Sequence, residues 1–289
     1  MLLDNYFITF ILTDSNQRNI SLRGEVQQIV EKAAGAAVKL ARQAGGILME
    51  SLGTGFGIEL KGEINPVTEL DRKVEQFLVE GIRKEFPDHD FLAEEQTRPE
   101  GISSFRWVID PIDGTTNYAH GYPCFAISIA LEHKGNPLLG VIYQPATREM
   151  FTAFAGGGAF LNGHPMKVSK KVTSLENSFL VTGFPYNLRQ PGVLERNLRR
   201  FEKFLGQSFA VRRDGSAAYD LACLAAGRFD GFWEENLSPW DTSAGYLMVC
   251  EAGGVATDFN GQIFDPLSSN SILAAGTEEL HRQMLSFLS

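Results

Sequence analysis

The pattern of apolar residues changes near residue 172, and this change constrains the fold more than any other feature of the sequence. Before it, residues 24–51 and 68–86 repeat apolar side chains every three or four positions, as amphipathic helices do. Short strand-like segments then follow one another, at residues 91–93, 106–110, 125–132, 138–143 and 150–154. After it, strand-like and helix-like segments alternate to the end of the chain. We therefore predict a layered fold, α+β in its first half and α/β in its second.

The same change predicts two subdomains that divide near residue 170. The first, an α+β unit, covers residues 24–170, and the second, an α/β unit, covers residues 171–289. Because clefts between domains commonly bind ligands, we expect the functional site between the two. Residues 1–23 match no periodic pattern, so we expect an N-terminal extension that is loosely attached or disordered.

Composition and charge exclude several classes of function. Of the 289 residues, 44% are hydrophobic and 21% are charged, which is ordinary for a soluble globular protein. The net charge of −9 and the absence of a basic run argue against a nucleic-acid partner. No apolar run reaches the roughly 20 residues that span a bilayer, so we expect no membrane partner. The three cysteines lie far apart, which fits a reducing cytoplasm.

The segment over residues 107–117 carries the strongest chemical pattern. An apolar strand delivers Asp110 at its end, and Pro111 is expected to stop the strand because it has no N–H for the ladder. Asp113 returns to the same side of the turn, and Gly114 permits a sharp bend. Two carboxylates and the free carbonyl of Ile112 are hard oxygen ligands of the kind that Mg²⁺ takes. An ordinary Asp-Gly turn is the alternative interpretation.

Two further acidic segments favour the metal interpretation. Residues 92–95 form an apolar strand that ends in Glu94 and Glu95, and Asp241 opens a predicted helix over residues 239–252. Helix capping is the alternative for Asp241, since Ser238 precedes it by three residues. The same alternative applies to Asp71, three residues after a threonine at the predicted start of the second helix.

Together these segments resemble the signature motifs of the inositol monophosphatase family. The matching motifs are Asp-Pro-Ile-Asp-Gly-Thr over residues 110–115 and Trp-Asp-x-x-Ala-Gly over residues 240–245, with the Glu-Glu pair upstream. The resemblance runs from about residue 24 to the C-terminus. It implies an αβαβα sandwich like that of fructose-1,6-bisphosphatases, a lithium-sensitive and magnesium-dependent phosphatase activity, and a homodimer.

The resemblance also implies a role for each acidic residue, with two or three Mg²⁺ ions per site. One ion would be held by Glu94, Asp110 and the Ile112 carbonyl, and a second by Asp110, Asp113 and Asp241. A third, weaker ion would lie near Glu94. Thr115 would hydrogen-bond the attacking water, and Asp71 would orient Thr115. These ligands come mainly from the first subdomain.

The substrate contacts implied by the resemblance come mainly from the second subdomain. Glu234 would bind ring hydroxyls, and the helix N-terminus at Gly215, Ser216 and Ala217 would hold substrate oxygens. Asp113 and Asp241 would also border the substrate, and the N–H groups of Gly114 and Thr115 would bind phosphate oxygens. Lys61 is either a lysine near the metals or a surface residue, and the role of Glu95 stays open.

The function that follows is the hydrolysis of a small phosphate monoester, with myo-inositol 1-phosphate as the expected substrate. The alternatives are fructose 1,6-bisphosphate, histidinol phosphate and a nucleotide 3′-phosphate, because the metal-binding motifs do not distinguish one leaving group from another. A regulatory binding protein on the same fold is a further alternative. It would predict the loss of a metal ligand, and none is lost here.

Overall fold

The structure is a computed structural model that describes residues 20–52, 58–60, 66–95 and 103–288. The first helix begins at Ile20 rather than near residue 24, and residues 1–19 of the predicted extension lie outside the described residues. None of the described helices combines the length and apolarity that crossing a bilayer would require. The described α-helices are α1 (Ile20–Ser51), α2 (Glu69–Glu85), α3 (Thr115–Ala119), α4 (Val193–Gln207), α5 (Ala217–Ala225), α6 (Pro239–Glu251) and α7 (Glu278–Leu288), and a short 3-10 helix spans Leu175–Asn177.

Strands from the first half of the chain form a small pair and a large sheet. The pair is antiparallel and consists of β1 (Ile58–Leu60) and β2 (Pro66–Thr68). The large sheet contains β3 (Asp90–Ala93), β4 (Phe105–Asp113), β5 (Ala126–His133), β6 (Asn136–Gln144), β7 (Glu149–Phe154), β8 (Gly158–Leu161) and β9 (His164–Met166). Its seven strands follow chain order, with β3 parallel to β4 and the rest antiparallel. The sequence interpretation missed β8 and β9, which have too few residues for a visible alternation.

A second sheet comes from the other half of the chain. Its strands are β10 (Phe179–Thr182), β11 (Ala210–Arg212), β12 (Gly231–Glu235), β13 (Val255–Thr257) and β14 (Ser271–Ala275). Their order is β11-β10-β12-β14-β13, with β10 parallel to both of its neighbours and β14 antiparallel to both of its own. The division into subdomains near residue 170 stays a prediction.

Helices α1 and α2 cover one face of the seven-stranded sheet. Successive side chains of a strand point to opposite faces, so Trp107 and Ile109 of β4 face these helices while Val108 faces away. The face of α1 that the sequence predicts is buried at Ala33, Ala37 and other positions. Small alanine side chains let this helix lie close to the sheet.

Helices α5 and α6 lie between the two sheets and are buried on both sides. Val108 and Ile142 from the large sheet and Phe232 from the smaller sheet join one core with Leu221 of α5 and Met248 of α6. This burial explains why α5 is apolar at nearly every position, as the helix of an inner layer must be, with the buried carboxylate of Asp220 as the exception.

Helices α4 and α7 cover the outer face of the five-stranded sheet. Phe204 of α4 and Met284 of α7 pack on Leu180, Trp233 and Leu273 of the strands. The layers therefore run helix, sheet, helix, sheet, helix. This arrangement confirms the predicted αβαβα sandwich.

Candidate active site

The site begins where β4 ends at two carboxylates. The pairing of β4 with β5 shifts register between Asp110 and Asp113, and it resumes where Asp113 pairs with Ala126. Pro111 therefore interrupts the strand with a bulge instead of ending it, which corrects the expectation from the sequence. The N–H of Ile112 donates to Asp110 Oδ1 at 2.9 Å and fixes the first carboxylate.

Gly114 allows the chain to turn sharply after the second carboxylate. Its φ is +92°, and a Cβ on it would lie 2.9 Å from the carbonyl oxygen of Cys124, so a larger residue does not fit. The turn starts α3 at Thr115, whose Oγ1 donates to the carbonyl oxygen of Ile112 at 2.9 Å. The hydroxyl and the carbonyl that the sequence singles out are therefore direct neighbours.

Asp241 reaches the same place from the first turn of α6. The N–H of Ser238 donates to Asp241 Oδ2 at 2.7 Å, so the carboxylate caps the helix. Asp241 nevertheless lines the cavity together with Asp110 and Asp113. The two alternatives from the sequence are thus compatible, because the capping contact holds the carboxylate in position.

Asp110, Asp113 and Asp241 form a compact carboxylate cluster. Each offers one oxygen, and the three oxygens lie within 4.8 Å of one another. Burial and the neighbouring carboxylates raise the pKa of Asp110 and of Asp241 well above the usual range. Burial also raises the pKa of Asp113 to about 6, against the opposing effect of its hydrogen bonds. Oxygen ligands under such mutual repulsion fit a hard divalent cation, which would neutralise them.

Glu94 and Asp71 lie beside this cluster. Because β3 runs parallel to β4, both strands end at one edge of the sheet, and the N–H of Glu94 donates to the Ile109 carbonyl at 3.3 Å. Glu94 lines the cavity and is half-buried. Asp71 is buried in the first turn of α2, and its charge contributes to the raised pKa of Asp110. Its expected contact with Thr115 stays a prediction.

The N-terminus of α5 holds Asp113. Ser216 Oγ donates to Asp113 Oδ2 at 2.6 Å, and the N–H of Ala218 donates to the same oxygen at 2.8 Å. The N–H of Ala217 also hydrogen-bonds this carboxylate. The sequence predicts free N–H groups over residues 215–217 for substrate oxygens, and among these the N–H of Ala217 is not free because it binds Asp113. Among the cavity-lining residues, none comes from this helix start at Gly215, so its substrate contacts stay a prediction.

Glu234 and Glu235 lie on opposite faces of β12, as alternation along a strand requires. Glu234 lines the cavity, and the N–H of Gly183 hydrogen-bonds its buried carboxylate. Burial, together with Asp241 and Asp113, raises the pKa of Glu234 well above its usual range. Glu235 turns away and accepts hydrogen bonds from Arg196 Nη2 and, on its other oxygen, from Arg200 Nη1, each at 2.6 Å.

The remaining acidic and basic candidates lie elsewhere. The N–H of Glu95 donates to Glu75 Oε2 at 2.5 Å, and its carboxylate lies 4.0 Å from Arg72 Nε. Glu95 is absent from the cavity lining of the described residues. Lys61 lies outside the described residues, so its role stays a prediction.

Several cavity residues were missed by the sequence analysis. The cavity measures about 260 Å³, and the missed lining residues are Phe184, Pro185, Tyr186, Asn236, Leu237 and Trp240. The first three follow β10 directly, so a Gly-x-Pro loop after a predicted strand was the available signal. Tyr186 is about half exposed, and its hydroxyl has a raised pKa because it is partly desolvated and near the carboxylates. Tyr186 and the carboxylate cluster line the same cavity.

Comparisons with known proteins agree with this geometry. The chain is 42% identical over 247 residues to Nus factor SuhB of Pseudomonas aeruginosa, a match that covers 84% of this chain and 90% of that one. It is 41% identical over 251 residues to inositol-1-monophosphatase of Mesorhizobium japonicum, covering 86% and 92%.

Two solved structures are similar across nearly their whole length. Extragenic suppressor protein suhB of Bartonella henselae has a TM-score of 0.84 at 40% identity, covering 89% of this chain and 98% of that one. The IMPase of Thermotoga maritima has a TM-score of 0.79 at 36% identity, covering 87% and 94%. The family model for the inositol monophosphatase family matches residues 29–288. The chain therefore belongs to the inositol monophosphatase family and is a phosphoric monoester hydrolase.

Proposed function

We propose that this phosphatase hydrolyses the phosphate ester of a small polyol or sugar with Mg²⁺, and that myo-inositol 1-phosphate is its preferred substrate. The observation that carries the proposal is that two sets of carboxylates line one cavity. The carboxylate cluster of Asp110, Asp113 and Asp241 and the separate carboxylate of Glu234 line the same space of about 260 Å³. A phosphate held at the cluster leaves its alcohol portion beside Glu234, which accepts hydrogen bonds from hydroxyl groups.

The carboxylate cluster and Glu94 would hold two or three Mg²⁺ ions, with the Ile112 carbonyl as a further oxygen ligand. When bound, the ions supply charge neutralisation for the phosphate and make water a nucleophile near neutral pH. Hydrogen bonds within the protein hold these carboxylates in position. Ser216 and the N–H of Ala218 hold Asp113, and the N–H of Ser238 holds Asp241.

The protein groups around Thr115 position the reacting atoms. The Thr115 hydroxyl oxygen would accept a hydrogen bond from the attacking water. Its single proton, which donates to the Ile112 carbonyl here, would turn to buried Asp71 when the metals occupy that carbonyl. The N–H groups of Gly114 and Thr115 bind phosphate oxygens, as the positive φ of Gly114 turns the chain toward the cavity. The substrate would also be bordered by the start of α5, at Gly215, Ser216 and Ala217, which lies next to Asp113.

The test is phosphate release from a panel of substrates, with Mg²⁺ or with EDTA. The panel contains myo-inositol 1-phosphate, fructose 1,6-bisphosphate, histidinol phosphate and adenosine 3′,5′-bisphosphate. We expect EDTA-sensitive release that is fastest from myo-inositol 1-phosphate and is abolished in Asp113→Asn. A different best substrate would retain the chemistry and reject the preference. Full activity in Asp113→Asn would refute the assignment of the metal ligands.

We further propose a cytoplasmic homodimer that lithium inhibits by replacing one Mg²⁺. Three apolar side chains of α4, Leu194, Leu198 and Leu205, are exposed along one stripe, which supports a subunit contact on this helix. The cysteines are free, which supports a reducing compartment. Light scattering tests the dimer, and lithium titration against Mg²⁺ tests the inhibition.

A second, regulatory role is the alternative that the name of the Pseudomonas aeruginosa relative, Nus factor SuhB, raises. Each proposed metal ligand is present, so such a role would accompany catalysis and not replace it. The Asp113→Asn variant separates the two roles. If it restored the phenotype of a strain that lacks the protein, the physiological role would be independent of catalysis.

A further inference from the structure

Arg213 is an exposed arginine that lies close to the cavity without a carboxylate partner among the described residues. It follows β11 and precedes the start of α5 at Gly215. Other arginines of the structure are committed to carboxylates: Arg106 to Glu132, Arg196 and Arg200 to Glu235, and Arg228 to Glu149. Within the described part of the chain, Arg213 makes no hydrogen bond or ion pair, so its guanidinium is available to a ligand.

Three observations place this guanidinium between the cavity lining and the start of α5. It lies over the ring of Phe184, 6.0 Å from the centroid, and Phe184 lines the cavity. Its Nη1 lies 3.5 Å from the point that a Cβ on Gly215 would occupy. Its charge also acts on Glu234, whose pKa it lowers against the effect of burial. Arg213 therefore lies on the side of Glu234, where the alcohol portion of the substrate would be.

The position of Phe184 is itself fixed. Its ring packs edge-on against Phe201 of α4, with centroids 5.7 Å apart and planes at 82°. An arginine that stacks on a fixed aromatic ring loses little further freedom when it binds an anion. The planar guanidinium then presents paired N–H donors that match the oxygens of a phosphate.

Because the cavity is lined by negative charges, a nearby positive charge affects which substrates can bind. Its charged lining residues are carboxylates, namely Glu94, Asp110, Asp113, Glu234 and Asp241. Bound cations would balance the cluster at one end, where the scissile phosphate binds. A second anionic group on the substrate would instead meet Glu234 at the other end, and a nearby positive charge is needed to make that approach favourable.

We propose that Arg213, whose guanidinium lies over Phe184, forms an anion subsite that binds a second phosphate on the alcohol portion of the substrate. The inference rests on the proposed function, because it requires the first phosphate to bind at the carboxylate cluster. It extends the substrate class to polyol and sugar bisphosphates.

The experiment compares two matched pairs of substrates that differ only in the second phosphate. The pairs are myo-inositol 1-phosphate with myo-inositol 1,4-bisphosphate, and fructose 1-phosphate with fructose 1,6-bisphosphate. The measured quantity is the ratio of kcat/KM for the bisphosphate to that for the monophosphate. We expect Arg213→Gln to lower this ratio at least about tenfold, as the loss of a charge-assisted pair of hydrogen bonds implies. Arg213→Lys should retain part of the ratio, because it keeps the charge and loses the paired donors.

Arg212→Gln is the matched control. Arg212 is also exposed, but its guanidinium lies over Phe179, 4.9 Å from the ring centroid, and its Nη1 donates to the Val211 carbonyl. This substitution should leave the ratio unchanged. Added KCl should lower the ratio in the wild-type protein and have little effect in Arg213→Gln, since salt screens an exposed pair of charges.

The outcomes separate the subsite from the proposed function. If the wild-type protein hydrolyses the monophosphates and Arg213→Gln leaves the ratio unchanged, the subsite is refuted and the function stands. An equal fall of the ratio in Arg212→Gln would also refute it, because the effect would then reflect general surface charge. If the wild-type protein releases no phosphate from either member of a pair, the proposed function fails and the subsite fails with it.

Discussion

Removing the metal should make the stability of the protein depend on pH in a specific direction. In the metal-free protein, burial raises the pKa of Asp113 from 3.8 to about 6. A carboxyl group whose pKa is higher in the folded state favours folding while it is protonated. Its stabilising contribution is complete below pH 3.8 and is lost as the pH rises through about 6. Asp110 and Asp241, whose pKa values are also raised, act in the same direction.

The size of the effect follows from these values. The difference between 3.8 and about 6 corresponds to about 3 kcal/mol for Asp113 alone over the full range. Of this, roughly 1 kcal/mol falls between pH 5 and pH 7, where most proteins remain folded. Mg²⁺ binds the ionised carboxylates, so it should oppose the loss of stability at higher pH. At about 100 times its dissociation constant it would add about 2.7 kcal/mol.

The assay is urea unfolding at pH 5, 6 and 7, followed by tryptophan fluorescence. Protein freed of metal by dialysis is compared with protein in saturating Mg²⁺. We expect the free energy of unfolding to fall with pH in the metal-free protein and to fall less or rise with Mg²⁺. In the isosteric variant Asp113→Asn, the free energy of unfolding should decrease between pH 5 and pH 7 by roughly 1 kcal/mol less than in the wild-type protein. Metal-free stability that stays constant or rises over this range would refute the reasoning.

Three further predictions concern residues that support the site. Gly183→Ala places a methyl group against the Glu234 carboxylate, so KM for myo-inositol 1-phosphate should rise about tenfold or more while p-nitrophenyl phosphate is still hydrolysed. Ser216→Ala removes a hydrogen bond to Asp113 and should raise the half-saturating Mg²⁺ concentration about tenfold, measured by activity titration. Leu198→Glu charges the exposed stripe of α4 and should give monomers in light scattering, and a persistent dimer would place the subunit contact elsewhere.

The layered fold could be predicted because its sheets are buried on both faces. A strand with helices on both sides carries apolar residues on both faces, and β5 is an example, with Ile127 and Ile129 on one face and Ala126 and Ala130 on the other. The carboxylates of the cluster were also predictable, since each follows an apolar strand or opens a helix. Local sequence was sufficient in these cases because a single element decides the position of each residue.

The partners of these residues were not predictable from local sequence. Ser216 and Asp113 are 103 positions apart, so their hydrogen bond depends on how the two halves of the chain pack. The same limit applies to the loop at Phe184 and Tyr186, which a distant part of the chain brings to the cavity. Pro111 was misjudged for a different reason, because a bulge lets a strand pass a proline and then resume its pairing.

The convergence of α5 and α6 on the carboxylate cluster reverses the usual distribution of local mobility along a helix. Helix ends normally fray, and their first amides exchange with solvent quickly. Here the first turn of α5 binds Asp113, and the first turn of α6 supplies Asp241, which binds the N–H of Ser238. The first turn of α5 is also buried, whereas Trp240 and Asp241 at the start of α6 are half-buried and border the cavity. The first turn of α5 should therefore exchange its amide hydrogens as slowly as the middle of the helix, because these amides bind Asp113 and are buried. This turn joins the end of one sheet to the helix layer that packs on the other.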